Sequence, residues 1–121
     1  MKAIFCEPKT FLKSLEESYG SPEAGDEAYR MLQITLMDNP DIGDVIPGAG
    51  GVRKLRWPGR SHGKRGGIRF IYLFVPEHDR FLMLFAYAKG DRVDLTADER
   101  TSLAAYAAQY KEYLRRQQRP H

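Results

Sequence analysis

Apolar positions recur along this chain in two periods, and the change between them divides it. Near the start, Phe11, Leu12, Leu15 and Tyr19 fall at helical spacing, and Gly20-Ser21-Pro22 ends that helix. Ser21 is a good N-cap with Pro22 at the first helical position, and Ala28, Met31, Leu32, Thr35 and Leu36 make one stripe down a second helix. Asp38-Asn39-Pro40 stops it, so the pair reads as an αα-hairpin. From Val52 the period falls to two: Val52, Lys54 and Arg56 share one face of a predicted strand, and Arg53, Leu55 and Trp57 share the other. Ile68–Val75 is rich in Ile, Phe, Tyr and Val, as a strand should be, and Pro76-Glu77-His78-Asp79 turns it into a returning strand over Phe81–Ala88. That last run is apolar on both faces, which predicts an interior place in the sheet. Tyr87 alternates with Phe85 and Met83 and is read as core. Thr96-Ala97-Asp98-Glu99 is a capping box, after which Leu103, Ala107, Tyr110 and Leu114 line a third helix.

With a short strand over Lys2–Glu7, the predicted order is β-α-α-β-β-β-α. This is an α+β fold in which helices pack on a largely antiparallel four-stranded sheet, in one domain over residues 1–121. Asp41 to Gly51 is read as a Gly-rich connector. Its glycines could suggest a phosphate cradle, but no Lys-Ser/Thr follows and the order of elements does not suit one.

Composition narrows the classes. One cysteine, Cys6, cannot form an internal disulfide, which points to a reducing, cytoplasmic setting. The longest uncharged apolar run, Phe81 to Ala88, is far short of the ~18 residues of a membrane helix, and Glu7 interrupts the N-terminus too early for a signal peptide. Three scattered histidines (His62, His78 and His121) and the one cysteine offer no pair at ligand spacing, so neither a metal nor a cofactor is expected.

Charge changes the picture most. The net charge of +3 averages very unequal segments. Residues 1–50 hold four basic and nine acidic side chains, whereas residues 53–69 hold Arg53, Lys54, Arg56, Arg60, Lys64, Arg65 and Arg69 with no acid. Such a block is either a solvated surface or a polyanion-binding one, and its spread over strand as well as loop favours the latter. An antiparallel meander brings Arg56, Arg69 and Lys89 to one end of the sheet, with Lys54 one step further in. Convergent cations suit a phosphodiester that develops negative charge. Trp57 reads either as a stacking platform for a base or as packing at the core edge.

These residues also carry a resemblance. R-K-L-R-W over 53–57, the Gly-Lys-Arg-Gly-Gly loop, I-R-F-I-Y from Ile68, and Y-A-K-x-x-R-x-D-L-T from Tyr87 resemble the HigB-type branch of the RelE superfamily of bacterial toxins. The resemblance implies a toxin of a type II toxin–antitoxin system: a ribosome-dependent mRNA endonuclease that cuts translated mRNA in the A site without a metal. Its partner would be a cognate antitoxin, commonly of helix-turn-helix type. It implies Lys54, Arg56, Arg69 and Lys89 as catalytic residues; the basic strand, loop and rim around them make Arg53, Trp57, Arg60, His62, Lys64, Arg65 and Arg92 the expected RNA contacts. Where relatives carry a tyrosine or a histidine near the last helix, this chain reads Asp94-Leu95-Thr96. Two other readings stay open on the residues alone. One is a ParE-like toxin that inhibits gyrase without cutting RNA; the other is a plain nucleic-acid-binding module.

Overall fold

The first two helices owe their close approach to three residues. α1 (Lys9–Tyr19) closes at Gly20, whose φ of 85° lets its N–H reach back to the Glu16 carbonyl at 2.8 Å. α2 (Pro22–Asp38) opens on Ser21, whose side-chain oxygen accepts the Ala24 N–H at 3.2 Å. Gly25 is buried where the helices meet, and a Cβ there would stand 3.2 Å from Leu15 Cγ. The computed structural model, which describes residues 2–59, 67–91 and 94–117, buries Gly25, Tyr29, Leu32 and Leu36 along α2. Met31, placed in that stripe by sequence spacing, is 55% exposed, and Leu12 of α1 is also exposed. Rotating the stripe by part of a turn brings Tyr29 inward, where its hydroxyl donates to Glu7 at 2.6 Å.

Five strands, rather than four, form the sheet among the described residues: β1 (Ile4–Cys6), β2 (Asp44–Val45), β3 (Arg53–Trp57), β4 (Ile68–Val75) and β5 (Arg80–Ala88), in the order β1-β5-β4-β3-β2. β1 runs parallel to β5, and the other pairs are antiparallel. The additional strand, β2, lies inside the expected Gly-rich connector. Tertiary bonds hold it there: the buried Tyr72 hydroxyl accepts the Gly43 N–H at 3.0 Å and donates to the Pro40 carbonyl at 2.8 Å. As expected, β5 lies in the interior of the sheet, between β1 and β4.

The two faces of the sheet bury separate cores. Phe11, Leu15, Tyr29, Leu32 and Leu36 of the hairpin pack against Leu55, Phe70, Tyr72, Phe81 and Met83. On the other face, Ala107 and Leu114 of α3 (Ala97–Gln117) pack against Val52, Ile71, Leu73, Leu82 and Leu84. The capping box opens α3 as expected: Thr96 Oγ1 accepts the Glu99 N–H at 3.1 Å, and the Thr96 N–H donates to Glu99 Oε1 at 2.8 Å.

A β-bulge breaks the alternation of β5. Ile71 pairs with Phe85 but Tyr72 pairs with Met83, so Leu84 is the extra residue, and Leu84 and Phe85 both face α3. Beyond the bulge every side chain of β5 is displaced by one position. Tyr87 therefore shares a face with Phe85 but not with Met83, contrary to simple alternation.

Candidate functional site

Strand pairing assembles the site. Arg56 lies opposite Arg69, and Arg69 lies opposite Tyr87, so the three form one row across β3, β4 and β5 on the α3 face. The next row inward places Asp44, Lys54, Ile71 and Phe85 side by side. Lys89 follows the end of β5, where its N–H donates to the Gly67 carbonyl at 3.2 Å, and so joins the Arg56–Arg69 end of the sheet. The expected convergence of these four cations is thus present in the register.

Such a row has an energetic signature. Residues directly opposite on adjacent strands have Cβ atoms only ~4.5–5.5 Å apart, and like charges there destabilise a sheet. Arg56 is exposed and Arg69 half-buried, so neither is deep enough for burial to explain its presence. Two guanidiniums side by side offer a fork of donors to a phosphate.

Lys54 has a different environment. Its ammonium lies 3.6 Å from Asp94 Oδ1, just ahead of α3. The Asp94 carboxyl is held below its ordinary range, first by the Leu95 N–H, which donates to Oδ1 at 2.7 Å, and then by the Lys54 charge. Lys54 is therefore presented as one half of an ion pair rather than as a lysine crowded only by cations. Asp94 carried no expected role; its proximity to Lys54 depends on the path between β5 and α3, which no local spacing reveals. Tyr87 was missed as a neighbour of the arginines because the bulge is silent in the pattern.

Beside Lys54 lies a cavity of about 680 Å³. The β2 segment supplies one wall through Val45, Pro47 and Gly48, and Asp94 and Arg100 supply the other. Arg100 is held by a bond from its guanidinium to the Leu95 carbonyl at 2.9 Å.

Two expected RNA contacts face the opposite way. Arg53 donates to the Gly43 carbonyl at 2.7 Å and the Asp41 carbonyl at 3.2 Å, and it pairs with the Asp41 carboxylate at 3.5 Å. It ties β3 to the segment before β2. Trp57 packs against the α1–α2 core. Arg60, His62, Lys64, Arg65 and Arg92 lie outside the described residues. His78 sits in the turn at the other end of the sheet, and among the described residues no cluster of His, Cys, Asp or Glu is arranged to hold a metal ion. No helix among them is long and apolar enough to cross a membrane.

The arrangement of elements matches a known toxin scaffold. A free-state structure of the E. coli toxin RelE carrying two arginine-to-alanine substitutions superposes with a TM-score of 0.56 over 88% of this chain and 97% of that one, at 15% sequence identity. At that identity the likeness is one of fold. The family model for the RelE toxin of the RelE/RelB toxin–antitoxin system matches residues 41–119. The chain belongs to the RelE toxin family. The matched stretch runs from just before β2 into the end of α3 and contains Lys54, Arg56, Arg69 and Lys89; the α1–α2 hairpin precedes it.

Proposed function

We propose that this chain is the toxin of a type II toxin–antitoxin pair, a single domain over residues 1–121 of the HigB-type branch, which cleaves translated mRNA in the ribosomal A site. The observation that carries this reading is the Arg56–Arg69 pair, two like charges directly opposite across a strand junction. A pairing that works against the sheet becomes useful when a phosphodiester lies between its members.

Cleavage by the neighbouring ribose needs three things. The 2′-OH must lose a proton as it attacks phosphorus, the pentavalent phosphorane must be stabilised, and the departing 5′-oxygen must gain a proton. Arg56 and Arg69 supply the stabilisation as permanent charges. Lys54 and Lys89 are the titratable groups beside them and divide the two proton transfers. No step calls for a metal, and the products are a 2′,3′-cyclic phosphate and a 5′-hydroxyl. Antitoxin binding, by a helix-turn-helix protein, covers the row in the resting cytoplasm.

Inducing the chain in cells and mapping mRNA 5′ ends tests the reading. Cuts should fall within translated codons, and Arg69→Ala should lower cutting by about 100-fold or more while the circular dichroism spectrum stays unchanged. Intact mRNA with accumulating DNA breaks would overturn it in favour of a gyrase poison. Tolerated expression, with RNA binding that weakens steeply as salt rises, would instead mark a plain binding module.

A further inference from the structure

The site sorts its charge into two compartments. Arg56, Arg69 and Lys89 gather at the end of the sheet. Among the described residues, the cavity next to them is balanced: Lys54 and Arg100 face Asp44 and Asp94, which gives no net formal charge. A single nucleic-acid strand has the same division, with anionic phosphates beside neutral bases. Two residues along β3, roughly 6.6 Å at about 3.3 Å per residue, separate Lys54 from Arg56.

We propose that the cavity lined by Asp44, Val45, Pro47, Lys54 and Arg100 is a base subsite that takes a guanine of the RNA strand whose phosphate lies on the Arg56–Arg69 row. The proposal rests on the RNA-cleaving reading above. The volume of about 680 Å³ suits a nucleoside, since small-molecule sites occupy ~300–1,000 Å³. Ile46, which shares the face of Asp44 and is buried against the α3-side core, gives the cavity an apolar side chain. Gly48, at φ +75°, leaves that wall open, because a Cβ there would meet nothing within 4 Å. Arg100, anchored on the Leu95 carbonyl, contributes a planar guanidinium of the kind on which bases stack.

The carboxylates select the base. An ionised carboxylate only accepts hydrogen bonds. Guanine presents two adjacent donors, N1–H and the N2 amino group, which match its two oxygens. Adenine and cytosine present one amino group beside a ring nitrogen that would face the second oxygen, and uracil presents one N–H between two carbonyls. Asp94 is already engaged by the Leu95 N–H and Lys54. Among the described residues, the Asp44 carboxylate has no hydrogen-bond or ion-pair partner, and Asp44 lies directly opposite Lys54 in the sheet. Asp44 is thus the specificity-determining residue.

The test uses the full chain, labelled for amide NMR, and the RNA trinucleotides UGU, UAU, UCU and UUU, with guanosine 5′-monophosphate as the free-nucleotide arm. UGU should bind about tenfold more tightly than the other three, the worth of one charge-assisted hydrogen bond, and should shift the Val45, Gly48 and Leu95 amides. Asp44→Asn should bring all four trinucleotides to within about twofold of one another. Equal affinities in the wild type, or shifts confined to Arg56 and Arg69, would overturn the subsite. Guanosine monophosphate binding as tightly as UGU would assign the cavity to a free nucleotide and overturn its place on the strand. Guanine-selective binding without mRNA cleavage in cells would remove the nuclease reading and keep the subsite; cleavage without base selectivity would do the reverse.

Discussion

Tyr72→Phe removes one oxygen atom and tests how the β2 segment is held. The ring is fully buried, so phenylalanine keeps its packing. What disappears is the acceptor of the Gly43 N–H at 3.0 Å and the donor to the Pro40 carbonyl at 2.8 Å. A net hydrogen bond contributes about 1 kcal/mol, and a buried donor left unpaired costs ~1–3 kcal/mol, so the loss should be about 2 kcal/mol. The Arg53 bond to the Gly43 carbonyl survives and keeps the segment attached, which sets the loss below the sum of those extremes. For a chain of this size that corresponds to a fall in Tm of about 8 °C. Urea titration followed by far-UV circular dichroism gives the free energy, and hydrogen exchange at Gly43 gives its location, with exchange faster by about tenfold or more. A loss under about 0.5 kcal/mol with unchanged Gly43 protection would refute the argument, because the donor would then have found another partner. Burial also lifts the Tyr72 phenol above its ordinary range, in keeping with a hydroxyl that works as a neutral donor and acceptor.

Two further outcomes follow from the same geometry. Gly67→Ala should destabilise by at least about 2 kcal/mol in urea, since Gly67 has φ +55° and a Cβ there would stand 2.5 Å from the Trp57 carbonyl oxygen. Asp94→Asn should lower the urea midpoint at neutral pH, and the difference should shrink as pH falls below 3.8: a carboxyl whose folded value lies below its ordinary 3.8 contributes in full above 3.8 and loses that contribution as pH falls through the lowered value.

Much of the scaffold was legible because it is governed by local chemistry. Ser21 and the Thr96–Glu99 box announce their helices, and they perform in the structure the bonds that those residue types favour. Arg56, Arg69 and Lys89 could be brought together from strand order alone, because a meander returns its ends to one edge. The features that escaped depend on distant partners. β2 exists through Tyr72 and Arg53, residues that lie after it in the chain. The bulge at Leu84 leaves no mark in an all-apolar run, yet it decides which face Tyr87 takes. On α2, Met31 and Tyr29 are both plausible core residues by spacing, and only the seat of Gly25 against Leu15 fixes the rotation. Asp94 reaches Lys54 only in the folded chain.

The parallel pairing of β1 with β5 has a consequence for the order in which the molecule can mature during synthesis. Ile4 leaves the ribosome early, but its partner Arg80 is made only after both hairpin helices and three more strands. At a synthesis rate of ~5–20 residues per second, β1 waits several seconds for its neighbour. The Arg56–Arg69–Tyr87 row is subject to the same delay, because Tyr87 arrives on that last strand. A nascent chain can thus fold its helical hairpin early, while its cationic row stays unbuilt until β5 has been made.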